Sequence, residues 1–226
     1  LNVASDPLMS LEYVGIKGGM VILVADDPGP ISSQTEQDTR HFSRFSKLPC
    51  FDPSSAQEAY EMIQEAFEYS EKYGTPVFLR PTTRVCHGYA SIMVKDETEY
   101  THHQPEGFIK DSKRWVIFPR LSFMNHKKIE ARNQELSDIF SSYEKNTIHP
   151  SCDAFKDSKK GIATGGISYT YTMETLKKTG MVKTLKIATP HPFPEKLAVD
   201  FLSGLDEVLC LEELDPVIER ELIYIC

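Results

Sequence analysis

Cysteine is scarce and scattered, with thiols at positions 50, 86, 152, 210 and 226 and no C-x-x-C pair. An odd number at wide spacing excludes a disulfide framework and fits a thiol-tolerant cytosol. Long apolar runs are missing as well. The longest, residues 18–25, falls far short of the roughly 20 residues that cross a bilayer, which excludes a transmembrane helix. Concentrated basic sequence is absent: 25 bases face 33 acids for a net charge of −8, and only pairs such as Lys127-Lys128 and Lys159-Lys160 occur. A protein that tracks phosphates would carry a basic face, so nucleic-acid binding is excluded. There is no N-x-S/T sequon and no basic-plus-apolar leader.

What is present is α/β patterning. Residues 20–25 form a continuous apolar run typical of a strand buried on both faces, stopped by Asp26-Asp27-Pro28. Residues 48–51 are a second, shorter candidate. Ser55 followed by Glu58 reads as a capping box opening a helix whose inner face is Ala59, Met62, Ile63, Ala66, Phe67 and Ser70, with Gly74 as its stop. Residues 77–79 then make a third strand, ending at Arg80-Pro81. A second train begins at Gly161, with strands expected at 161–164, 184–189 and 207–211. Helices fall between them at 169–178 and after Pro194, and Asp215-Pro216 caps another. The stretch between the trains is polar, except for Trp115 to Pro119 and a helix marked by Ile129, Leu136, Ile139, Phe140 and Tyr143. The stripe of that helix is interrupted at Arg132-Asn133. The expected fold is α/β, two three-layer parallel-sheet domains, with divisions at 1–92, 93–159 (a linker with the amphipathic helix) and 160–226.

Ligands of open α/β sheets sit at the carboxyl ends of the strands. Three loops qualify. Asp26-Asp27-Pro28 with residues 32–40 is rich in hydrogen-bonding groups, although a solvated, capped helix start explains it too. Cys86-His87 lacks a third orienting group and reads as a structural pair. Glu212-Glu213 reads as exposed. Gly161 to Gly166 fails both the Walker A and the G-x-G-x-x-G spacing, which leaves close strand–helix packing. His102-His103, and His149 with Cys152, lack metal-ligand spacing, so no metal site is assigned.

Several motifs in collinear order go further. They are residues 1–9, Gly18-Gly19-Met20-Val21, Ala25-Asp26-Asp27-Pro28, residues 32–38, Thr82-Thr83-Arg84-Val85, residues 189–194 and Leu211-Glu212-Glu213-Leu214. Together they resemble the α subunits of the indolepyruvate ferredoxin oxidoreductases, within the 2-oxoacid ferredoxin oxidoreductase family. The resemblance covers most of the chain and is weakest over residues 100–160. It implies a thiamine-diphosphate enzyme that oxidatively decarboxylates an aryl 2-oxoacid to an aryl acyl-CoA, reducing ferredoxin through [4Fe-4S] clusters. It implies a β subunit, coenzyme A and an oligomeric cytoplasmic assembly. Residues 1–92 would be the C-terminal part of a pyrimidine-binding domain, and 160–226 a truncated transketolase C-terminal-like domain. Asp27, Ser33, Gln34 and Gln37 are then the cofactor-proximal candidates, with Arg84 beside them. Asp6 falls where related pyruvate enzymes place an arginine for the substrate carboxylate.

The G-D-G…N motif for Mg²⁺ and diphosphate and the C-x-x-C-x-x-C cluster motif are absent from the sequence. The resemblance places the family's cofactor-activating glutamate upstream of Leu1. No catalytic residue is therefore expected within the chain, and no tightly bound cofactor. The chain reads as a piece of a longer polypeptide, inactive alone, whose first sheet is short of upstream strands. Two alternatives stand beside this reading: a pyruvate or branched-chain 2-oxoacid ferredoxin oxidoreductase, and a non-catalytic assembly module.

Overall fold

A computed structural model describes residues 2–29, 31, 33–100 and 104–226. Ser32, His102 and His103 lie outside them. In chain order the elements are α1 (Ser5–Val14), β1 (Val21–Leu23), α2 (Thr39–Ser46), β2 (Cys50–Phe51), α3 (Ala56–Tyr73), β3 (Val77–Leu79), α4 (Thr83–Cys86), α5 (Ser112–Trp115) and α6 (Pro119–Phe140). They continue with β4 (Thr147–His149), β5 (Lys160–Gly165), α7 (Gly166–Thr179), β6 (Lys183–Ile187), α8 (Glu195–Leu202), β7 (Glu207–Leu211) and α9 (Val217–Ile225). The strands form two sheets, β1-β3-β2, all parallel, and β4-β6-β5-β7. The molecule is α/β with parallel-sheet units, as the patterning indicates.

Three differences from the sequence reading have physical causes. β1, at one edge of its sheet, is half-buried, with Leu23 64% exposed; β3, the central strand, and β2, at the other edge under α3 and α6, are buried at every position. The inner face of α3 is Glu58, Met62, Ala66 and Ser70, a pure i, i+4 row, while Ile63 and Phe67 are exposed. Ser70 anchors that face: its hydroxyl donates to the Thr75 carbonyl at 2.7 Å and accepts from the Met20 amide at 2.8 Å. Lastly, Thr147–His149, read as connection, pairs antiparallel with β6. A three-residue strand with no turn signal of its own shows too little periodicity to be seen in sequence.

The caps were partly legible. Ser55 accepts from the Glu58 amide and Gly74 adopts φ +60°, as the pattern predicts. Glu58, however, turns its carboxylate to the amide and hydroxyl of Ser54 and to Lys186, rather than closing a box on Ser55. The cap of α9 is not Asp215. Glu212 accepts from the amides of Val217, Ile218 and Glu219, satisfying three of the four donors that a helix start leaves open.

The main core joins the inner face of α3 to Phe51, Val77, Leu79 and the α6 end, Leu136, Phe140 and Tyr143. The amphipathic helix thus packs on the first sheet. Its interruption has a use: Arg132 binds the buried Glu12, and Arg132 and Asn133 both donate to the Lys47 carbonyl at the end of α2. A second core lies under β5 and β6, with Phe193, Ala198, Phe201 and Ile218. The close-packed turn expected at Gly161 to Gly166 is there. A Cβ at Gly165 would stand 2.6 Å from the Ile187 carbonyl oxygen. Two main-chain bonds stitch the units together, from Cys50 to His191 (2.7 Å) and from Asp52 to Ala188 (2.8 Å).

β1 has one hydrogen-bonded neighbour and β6 has two. Amides of Val21 to Leu23 are therefore expected to exchange with solvent faster than those of Leu185 to Ile187, as hydrogen-exchange mass spectrometry would record. Equal protection would mean that the outer edge of β1 is covered.

Candidate functional site

β1, β3 and β2 run parallel and end level, which brings three chain exits together. Asp26 follows β1, Arg80 follows β3 and Asp52 follows β2. Main-chain bonds from Arg80 to Phe51 and from Asp26 to Pro81 hold the exits in register. Arg80 is 1% exposed. Its Nε donates to Asp26 Oδ2 at 2.7 Å and its Nη1 to Asp52 Oδ2 at 3.2 Å, and Nη2 lies 3.4 Å from Asp38 Oδ1. Asp26 also accepts from the amide and hydroxyl of Thr39, both at 2.6 Å, fixing the start of α2.

A second guanidinium carries the network to the other sheet. Arg40 forks onto Asp38 and donates to Glu212 at 2.7 Å and to the carbonyls of Glu213 and Asp215. Burial by itself would push Asp38 up, but the hydrogen bonds from Arg40 and the charge of Arg80 outweigh it and hold the carboxyl below its ordinary range. The expectation of a solvated helix start is therefore half right: Asp38 caps α2 and residues 34–37 are exposed, but Asp26 and Asp27 at one end of the loop and Thr39 and Arg40 at the other are buried. Glu212 is likewise buried, its side chain 5% exposed, because Arg40 and the α9 amides both need it. Charged residues at the ends of apolar runs look like exposed strand ends in sequence. The signal available was their coincidence: three such ends, each beside proline or aspartate.

Asp27 is buried beside this network. Its carboxylate accepts from the Ser33 amide and the Thr83 hydroxyl, both at 2.7 Å, and its carbonyl from the Gln37 amide at 3.3 Å. The structure thus brings Asp27, Ser33 and the Gln37 main chain together and ties them to the start of α4. Gln34 and the Gln37 side chain face solvent. Arg84, on α4, is half exposed and lies 3.7 Å from Glu213. Asp6 is exposed in the first turn of α1. Cys86 and His87 are both exposed, and partial burial raises the Cys86 thiol, which disfavours the thiolate that nucleophilic chemistry needs.

Asp38, His41 and Asp215 bring one ligand atom each within 4.8 Å of one another. Asp38 is already engaged by two arginines, and His41 Nε2 pairs with Asp215 at 2.8 Å, so the trio reads as an ion-pair set. The same accounting bears on a Mg²⁺–diphosphate group, which needs free carboxylates. Asp26, Asp38, Asp52 and Glu212 are all bound to guanidinium. The residues at this edge do not fit that group. What they offer a ligand is the neutral rim of Ser33, Gln34 and Gln37, with Arg84. Among the described residues no helix is long and apolar enough to cross a membrane.

No family model matches the chain. The subunit IorA of indolepyruvate oxidoreductase from Methanothermobacter thermautotrophicus is 40% identical over 227 residues, covering 100% of this chain and 36% of that protein. The Pyrococcus abyssi IorA is 40% identical over 226 residues and the Archaeoglobus fulgidus IorA 36% over 222, covering 98% and 97% of this chain. The chain belongs to the IorA family of indolepyruvate oxidoreductase subunits. It spans about a third of the length of these curated relatives. Among solved structures it is similar to a 2-oxoglutarate:ferredoxin oxidoreductase from Magnetococcus marinus, described with 2-oxoglutarate, coenzyme A and succinyl-CoA bound (TM-score 0.62, 14% identity, 92% of this chain and 43% of that one). It is also similar to a split-gene transketolase described as an inactive tetramer (TM-score 0.52, 14% identity, 98% and 59%). At that identity the likeness concerns the fold. In this chain the buried arginine network frames the carboxyl edge, and residues 34–37 form its solvent-facing rim.

Proposed function

We propose that this chain is the part of an indolepyruvate ferredoxin oxidoreductase α subunit that joins the end of a pyrimidine-binding domain (residues 1–92), through a linker (93–159), to a transketolase C-terminal-like domain (160–226). The whole enzyme would use thiamine diphosphate to decarboxylate an aryl 2-oxoacid oxidatively, pass electrons through [4Fe-4S] clusters to ferredoxin and release an aryl acyl-CoA. A β subunit would complete it, in the cytoplasm. The observation that carries this reading is identity of 36–40% along essentially the whole chain to subunits of that name.

When bound, the cofactor supplies a carbanion sink. This chain's residues hold a rim beside it. Asp26 holds Thr39, and Asp27 holds the amides of Ser33 and Gln37, so Gln34 and Gln37 present amide donors and acceptors of the kind a heteroaromatic amine takes. Arg84 adds a cation at the same edge, and Asp6 is the substrate-side candidate.

The test transplants the 226 residues into the matching stretch of a complete two-subunit relative and assays reduction of a ferredoxin-type acceptor. Turnover of indolepyruvate well above pyruvate and branched-chain 2-oxoacids is the expected result. A folded, assembled chimera that turns over only pyruvate or branched-chain acids would reverse the substrate class, and one with no turnover would favour an assembly role. The isolated chain should show no Mg²⁺-dependent thiamine diphosphate binding by calorimetry. Micromolar binding would place the cofactor on this chain after all.

A further inference from the structure

Four buried carboxylates, Asp26, Asp38, Asp52 and Glu212, share two guanidiniums, those of Arg40 and Arg80. Three of the acids have donors on both oxygens: Asp26 from Thr39 and Arg80, Asp38 from Arg40, and Glu212 from Arg40 and the α9 amides. Asp52 does not. Its Oδ2 takes one 3.2 Å bond from Arg80, while Oδ1 is buried with no hydrogen-bond partner among the described residues. A buried carboxylate oxygen without a donor is costly when ionised, and a proton is the cheapest way to neutralise it.

Asp52 also stands on the seam. Its amide bonds to Ala188 beyond β6, and a Cβ at Gly166, the first residue of α7, would lie 3.2 Å from Oδ2 and 3.3 Å from Oδ1. Around it are Arg80 from β3, Asp38 and Arg40 from α2, Asp26 beyond β1, Glu213 beyond β7 and Cys50 on its own strand. The residue α7 presents to it is a glycine, which brings no side-chain charge; the positive end of the helix dipole there favours the ionised form and works against burial.

We propose that Asp52 is the proton-holding member of this interdomain cluster, and that the seating of the second sheet on the first tightens when this carboxyl is protonated and loosens when it ionises. The inference stands apart from the proposed enzyme activity, since it needs only this chain. Burial pushes the Asp52 carboxyl up to about 6, against the charges of Arg80 and Arg40 and with those of Asp38 and Glu213. A carboxyl raised in the folded state stabilises it below the ordinary value of 3.8, and that contribution disappears as pH rises through about 6. Between pH 4 and pH 7 this one group is expected to lower the folding equilibrium constant on the order of a hundredfold.

Two measurements on the 226-residue chain decide it. In a carboxyl ¹³C NMR titration, Asp52 should titrate near pH 6. In urea unfolding, Asp52→Asn, a neutral isostere, should flatten the pH dependence and match or exceed the native chain in midpoint at pH 7.5. Amides of Cys50 and Asp52 should also lose protection between pH 5 and 7.5, beyond the intrinsic rate change, in the native chain only. Titration below pH 4, or a folded Asp52→Asn variant clearly less stable at pH 7.5, would overturn the proposal. If that variant does not fold, the titration of the native chain settles the matter.

Discussion

Alanine in place of Arg80 is expected to cost about 3–5 kcal/mol of stability at pH 7.5, the range for removing one partner of a buried ion pair. The cost follows from what is left behind. Among the described residues, Asp26 loses its guanidinium partner, Asp52 loses its hydrogen-bond donor, and Asp38 retains Arg40 alone. All three carboxylates are buried in the folded chain. The penalty should shrink between pH 7.5 and 5, because carboxylates stripped of their cation take up protons. Asp38 adds a term of the opposite kind. Held low by Arg40 and Arg80 against its burial, it stabilises the native chain above the ordinary carboxylate range and loses that contribution as pH falls through its folded value. Arg80→Lys keeps the charge but not the fork that touches three acids, so it should fall between native and alanine. Urea unfolding at the two pH values measures all of this. A penalty below about 1 kcal/mol, or one unchanged by pH, would mean that the cluster relaxes into solvent.

Phe140→Ala should cost about 3–5 kcal/mol through a different mechanism, the cavity left in a packed core. The ring is fully buried at the end of α6, 5.6 Å from Phe51 in an edge-on contact and 5.4 Å from Tyr69. These neighbours belong to β2 and α3, so the ring joins the helix to the first sheet. Collapse is hindered because the Phe140 carbonyl is held by Asn146, whose side chain also bonds the Ala188 amide and the Thr189 hydroxyl. Phe140→Leu, which fills much of the same space, should lose less than half as much. A shift in the urea midpoint without a change in slope would locate the effect in the folded state.

How much of this could be read from the residues depended on sequence distance. The Ser55 cap, the Gly74 stop and the strands around Val77 and Leu185 depend on neighbours within a few positions, and patterning found them. The pairing of Asp27 with Ser33 lies six residues apart, within reach of a loop reading. Arg80 was harder, since a guanidinium after an apolar run looks like the wet end of a strand. Its burial depends on acids 28 and 54 residues away. Glu212 was misread for the same reason. Paired acids at a strand end are usually exposed, and only the arrival of Arg40 and of a helix start made one of them a core residue. The resemblance to a family reached further along the chain than periodicity did, but it named rim residues and left the buried frame unmarked.

The bond from Arg40 to Glu212 joins residues 172 positions apart, and those from Arg40 to the Glu213 and Asp215 carbonyls are longer still. Contacts of that span form only after each sheet has collapsed on its own helices, because closing so long a loop early sacrifices chain entropy before any other contact compensates. Weakening the network should thus hasten unfolding while leaving the refolding rate nearly unchanged. The lifetime of the assembled state, more than the speed of reaching it, is what Arg40 sets.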